Sequence, residues 1–120
     1  MAWTARIDAV KVVLQTACRK SCDHTGDSFG KDSSEYLDQL RWYGHLGSML
    51  GKPSDSKSKI TQEAKAGLDE AREVAAANPK IPLLNRLGAF DELIRFSQSA
   101  NDQAGAKKYI SEMDGLKAAK

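Results

Sequence analysis

The chain has 120 residues, 41% hydrophobic and 28% charged, with a formal charge of +2 and two cysteines. A chain of this length can bury roughly two-thirds of its unfolded surface without metal or disulfides, and its composition is too apolar for a disordered polyelectrolyte. Residues 1–60 carry nine Lys/Arg and seven Asp/Glu, and residues 61–120 carry nine of each; with no basic block, no specific nucleic-acid partner is expected.

Apolar residues recur at helical spacing almost throughout, and two-residue alternation is nearly absent. The pattern predicts an all-α fold, a single-domain antiparallel bundle of four to five helices over about 3–22, 33–50, 57–77, 79–99 and 102–118. The first helix shows the stripe Trp3, Ile7, Val10, Leu14 and Ala17/Cys18, with Val13 beside it, and this stripe is expected to face the core. Its N-terminal end lacks the continuous apolar run and cleavage signature of a secretory signal. It is amphipathic and mildly basic, as a mitochondrial presequence would be, but Asp8 and the fit to the fold speak against that. A polar loop punctuated by Gly26 and Gly30 should follow Cys22.

Ser33 or Ser34 can cap the second helix, whose inward positions are Tyr36, Leu37, Leu40, Tyr43, Leu46 and Leu50, with Trp42 and Met49 on a flank. So wide an apolar surface predicts a central helix with neighbours on two sides. "GKPSDSKS" is a linker. The third helix presents Ile60, Ala64, Gly67/Leu68, Ala71 and Val74/Ala75, small side chains that let a partner approach closely. Asn78 is read as the cap of the fourth helix, with Pro79 in its first turn. That helix uses Leu83, Leu84, Leu87, Phe90, Leu93, Ile94 and Phe96, and the fifth uses Ala106, Tyr109/Ile110, Met113 and Leu116 after a cap at Asn101 or Asp102. No run approaches the ~20 apolar residues of a membrane span.

"TACRKSCDHTGDSFGKD" holds both cysteines and one of two histidines. Cys18, Cys22, His24 and His45 are the only four soft or nitrogen ligands available for a tetrahedral zinc site. The Cys-x3-Cys-x-His spacing matches no zinc signature, and Leu14, Cys18 and Cys22 continue one helical stripe, as core cysteines do. A disulfide between cysteines one turn apart would distort the helix. A metal or thiol-redox sensor using Cys18, Cys22 and His24 is therefore the alternative reading, and no cofactor is expected. As a calcium loop starting at Asp23, the segment offers Ser28 and Ser34 where the turn glycine and bidentate glutamate belong.

No phosphate loop, nucleophile elbow or His-Glu-x-x-His is present. Asp23, His24 and Asp27 could form an acid–base cluster, but loop carboxylates beside a histidine read as solvated, so no enzyme is expected. "TQEAKAGLDEAREV" offers too short a first helix for a helix-turn-helix, and its periodicity runs through Gly67. "RWYGH" groups a guanidinium, two aromatics and an imidazole. If exposed, Trp42 is the best anchor for a protein partner.

Two stretches carry likenesses. Leu46-Gly47 with the third helix, and Leu87-Gly88 with the fifth, overlay as helix pairs that resemble a tetratricopeptide-type unit at a few signature positions. "PLLNRLGAF" with "YISEMDGL", residues 82–116, resembles the last two helices of bacteriocin immunity proteins, which implies a small antiparallel bundle that neutralises a peptide toxin by binding. Neither assigns a family. The expectation is a cytoplasmic protein that binds another protein as an adaptor, inhibitor or immunity-type factor. Its contact surface is placed at Trp42, His45 and Met49, rimmed by Asp23–Asp32; the oligomeric state is left open.

Overall fold

The computed structural model describes residues 3–119, with side chains from Arg6 onward. The described chain is all-α: α1 (Trp3–Phe29), α2 (Ser34–Leu50), α3 (Lys59–Ala77), α4 (Leu83–Ser99) and α5 (Gln103–Ala118). Short polar side chains set three of the starts. Ser33 Oγ accepts from the Tyr36 amide, Ser58 Oγ from Thr61 and Asp102 Oδ1 from Gly105, each satisfying a first-turn N–H.

Two boundaries differ from the sequence expectation. The polar segment after Cys22 continues as helix through Phe29, and the chain turns at Gly30, whose φ of 96° favours glycine. Gly26 stays helical and buried because the Tyr36 ring packs directly against it. Asn78 ends α3 and does not begin α4; its Nδ2 donates to the Val74 carbonyl. A residue before proline is pushed out of the α region. Ile81 precedes Pro82, so the helix cannot run through it, and α4 starts at Leu83. Ile81 is buried in the resulting turn.

Side-chain contacts fix the packing directions. Gly26 meets Tyr36, Cys22 meets Gln39, and Gln15 meets Gly47; residue numbers that rise on α1 as they fall on α2 mean an antiparallel pair. Gly44 against Leu68 and Gly47 against Ala64 make α2 and α3 antiparallel in the same way. Between α2 and α4 both numbers rise: Asp38 meets Asn85, Arg41 meets Gly88, and His45 meets Glu92. Asp69 with Tyr109 and Arg72 with Glu112 do the same for α3 and α5. α4 packs against both α2 and α3, parallel to the first and antiparallel to the second: Arg86 meets Ala75, while Phe96 and Ser97 stand beside Thr61 and Lys65. α5 packs on α4 and is tied to α3 by the side chains just named, and α1 lies beside α2. The slab measures 55 × 36 × 16 Å, its thin dimension that of two helix layers.

The close approach of α2 to α3 requires glycine. A methyl at Gly44 would collide with the Leu68 side chain, and one at Gly67 with the Tyr43 ring. One cluster joins Cys22, Tyr36, Leu37, Leu40 and Tyr43 to Ala71, Ala75, Ile81, Ala89 and Phe90. The second gathers Ala64, Leu68, Leu93, Ile94, Phe96 and Tyr109, and Met113 packs against both. Two arginines serve the interior. Arg86 Nε donates to the Ala75 carbonyl at 2.7 Å, and Arg19 Nη1 meets Glu70 at 3.0 Å, where the Tyr36 hydroxyl also donates to Glu70.

Of the stripe expected to seat α1 in the core, only Cys18 packs against it among the described side chains. Ile7, Val10, Val13 and Leu14 are exposed, Val10 at 58% and Val13 at 66%; the Trp3 side chain lies outside the described residues. The inward face of α1 is Gln15, Cys18, Cys22 and Gly26. The reason is length and polarity. α1 is about 40 Å long, longer than α2, so its first turns run beyond the hairpin it packs on. Where the helix does touch α2 and α3, a glutamine makes the key contact: buried Gln15 Nε2 donates to the Ile60 carbonyl at 2.8 Å.

Candidate functional site

Trp42, His45 and Met49 lie on one ridge of α2, spaced three and seven residues along the helix, on the side away from α3. Their placement follows from the glycines. Gly44 and Gly47 turn toward α3 and let the backbones close up, which leaves residues 42, 45 and 49 on the opposite side of the helix. Trp42 is 55% exposed and Met49 68% exposed, although both types normally count among the most buried. The Trp42 and His45 rings lie 5.9 Å apart, tilted by 31°.

α4 supplies the other wall. His45 Nδ1 stands 3.6 Å from Glu92 Oε2, an ion pair when the imidazole is protonated. Asp38, Arg41, Trp42, His45 and Glu92 line a groove of about 280 Å³ between the parallel helices. Arg41 is its floor: its guanidinium lies against Gly88 and 3.6 Å from Asp38, while its buried Nε has no partner among the described residues. A larger groove of about 550 Å³ continues past Arg41 along α4, lined by Leu84, Asn85, Asp91, Met113 and Lys117. Leu84 is almost fully exposed there, contrary to its expected place in the core. The surface joins a large indole, a flexible thioether and a guanidinium with spare donors, which suits an apolar segment carrying an acceptor.

The sequence reading placed Trp42, His45 and Met49 on a helix flank but missed the contributions of Glu92 and Leu84. Only the parallel stacking of α4 on α2 brings Glu92 to His45, and no spacing within one helix reports it. The proposed rim, Asp23–Asp32, lines neither groove. Its first seven residues belong to α1, and its last contacts are with the start of α2.

The ligand set of the alternative reading is dispersed. Cys18 and Cys22 face α2 from α1, and Cys22 Sγ donates to the Gln39 carbonyl at 3.2 Å. His24 is exposed on α1, whereas His45 lies toward α4. No group of three or more His, Cys, Asp or Glu arranged to hold a metal ion occurs among the described residues. Burial, reinforced by Cys18, pushes the Cys22 thiol up to about 12, and burial raises Cys18 against the hydrogen bond to Cys22, which lowers it. Thiols so shifted stay protonated and weakly nucleophilic near neutral pH. Asp23, His24 and Asp27 are all exposed on α1, with Asp23 engaged by Arg19 at 3.2 Å.

No described helix is long and apolar enough to cross a membrane. No protein-family model, curated protein or solved structure matches this chain.

Proposed function

We propose that this chain acts by binding another protein, as an adaptor, inhibitor or immunity-type factor, and not as an enzyme. The contact surface is the ridge Trp42–His45–Met49 with the groove beneath it. One observation carries the reading: a tryptophan more than half exposed beside a groove whose floor is an incompletely partnered arginine. Buried tryptophans and arginines dominate the energy of protein interfaces, and here both stand outside the hydrophobic clusters. A cytoplasmic setting, which keeps both thiols reduced, accompanies this reading. The metal or thiol-redox alternative is not favoured, because its ligands lie on different faces and its more buried thiol is held protonated.

The test is affinity capture with mass spectrometry on the wild-type chain and on Trp42→Ala in parallel. The expected result is a partner retained by the wild type and lost by the variant, with the thermal midpoints of the two proteins nearly equal. A Trp42→Ala protein that keeps every partner, or that unfolds, would refute the assignment.

A further inference from the structure

A cavity of about 250 Å³ lies at the end of the bundle where α3 begins and α4 gives way to α5. It shares no lining residue with the grooves beside Trp42 and Arg41. Its apolar lining is Phe96, Ala100 and Pro53, the last from the α2–α3 connection. Most of its polar lining is already engaged within the protein. Thr61 Oγ1 donates to the Lys52 carbonyl, Gln62 Nε2 to the Ser56 carbonyl and Lys65 Nζ to Asp69, and Asp102 Oδ1 accepts from the Gly105 amide, all at 2.8–3.0 Å. Ser97 is different. It is 1% exposed, and its buried Oγ has no hydrogen-bond partner among the described residues. Helical hydroxyls elsewhere in the chain bond to the carbonyl four residues back, Ser48 to Gly44 and Thr25 to Ser21; that of Ser97 does not. A buried hydroxyl without a partner is costly to keep.

We propose that this cavity is a binding site for a small uncharged molecule with an apolar body and a single hydrogen-bonding group. The body lies on Phe96, Pro53 and Ala100, and the group meets the Ser97 hydroxyl, which turns about χ1 to face it. Charge argues against an ionic ligand. Lys65 and Asp102 are opposite in sign, and each holds a partner within the protein; an ion would either displace that partner or enter the cavity unpaired. A polyol would leave its further hydroxyls short of partners. The volume sets the size: a cavity of about 150 Å³ takes a benzene ring, so about 250 Å³ takes a ring with a short substituent. The bound molecule ties the α2–α3 connection, through Pro53 and Ser56, to the end of α4. The site is independent of the Trp42 surface and of the function proposed for it.

Benzyl alcohol is the probe, and toluene is the same ring without the hydroxyl. Amide chemical shifts of the full chain should move saturably with benzyl alcohol at Ser56, Lys65, Ser97 and Ala100, with a dissociation constant of about 0.1–10 mM for so small a ligand. Benzoate and benzylammonium should bind about tenfold more weakly or worse. Ser97→Ala should weaken benzyl alcohol about three- to tenfold and leave toluene unchanged, a comparison that cancels the different hydrophobicity of the two rings. The same variant, free of ligand, should melt no lower than the wild type, because the hydroxyl it removes has no partner. Ala100→Leu, at a half-buried position in the lining, should fill the space and weaken both rings about tenfold or more. No saturable shift at these residues up to about 30 mM, tighter binding of either ion, equal loss of both rings in Ser97→Ala, or a ligand-free melting point several degrees lower would each overturn the proposal.

Discussion

Ile7, Val10 and Leu14 on α1 are larger and more apolar than Ala64, Ala71 and Ala75 on α3, yet the three alanines are buried and the three larger residues are exposed. Size and hydropathy did not decide which stripe entered the core; access to a neighbouring backbone did. α3 lies along α2, where Gly44, Gly47 and Gly67 remove the side chains that would hold the helices apart. Small residues there allow close backbone contact, and Leu68 fills the space left over Gly44. The first turns of α1 run past the end of that hairpin and have nothing to cover them. A stripe is a capacity for burial, and the fold uses only the capacity it can reach.

Breaking the buried stripe should have the largest effect. Leu68→Ala removes a side chain only 1% exposed and should cost about 2–5 kcal/mol, measured by urea unfolding. A loss under about 0.5 kcal/mol would mean that α2 and α3 are not packed as described. Gln15→Ala should cost about 1–3 kcal/mol, because it leaves the buried Ile60 carbonyl without its donor. This change probes one of the polar ties that seat α1, beside Arg19–Glu70 and Cys22–Gln39, and a neutral result would show that Gln15 is not seated against Ile60.

The inward tyrosines and Cys22 predict an alkaline limit. Burial, then Cys18, raises Cys22 from its ordinary value near 9 to about 12. Burial, then Glu70, raises Tyr36, and burial, then Glu63, raises Tyr43, each from near 10 to about 12. Because the folded state favours the neutral forms, their contribution is intact below the ordinary values and is lost as the pH climbs from about 9 toward 12. The urea midpoint should fall across that window. A midpoint that holds flat to pH 12 would show these groups to be solvated. The smallest effect belongs to the bare stripe: Val10→Ser at low micromolar concentration should change stability by no more than about 0.5 kcal/mol.

The same comparison explains what could be read in advance. Helix type, the inward faces of α2 and α3, and the caps Ser33 and Asp102 follow from periodicity and short polar side chains. On α1 the two cysteines could be read as core residues, but the rest of its inward face was hidden because it is built of Gln15 and Gly26, which no hydropathy pattern marks. The continuation of α1 through "DHTGDSF" was hidden for a related reason: its glycine serves a close contact with Tyr36 and not a turn. At the candidate site, Trp42, His45 and Met49 are visible as one helical ridge, whereas Glu92 and Leu84 reach it only through the packing of α4 on α2. The short contacts that set α4 parallel to α2, Arg41 on Gly88 and Asn85 on Asp38, are specific to these side chains.

Native-state hydrogen exchange resolved by residue, at low micromolar concentration, puts the two stripes side by side in one experiment. Amides of Leu68–Ala75 should exchange only through global unfolding, while those of Ile7–Val13 should exchange orders of magnitude faster. Equal protection of the two segments in the dilute protein would place the α1 stripe inside the core and contradict the account.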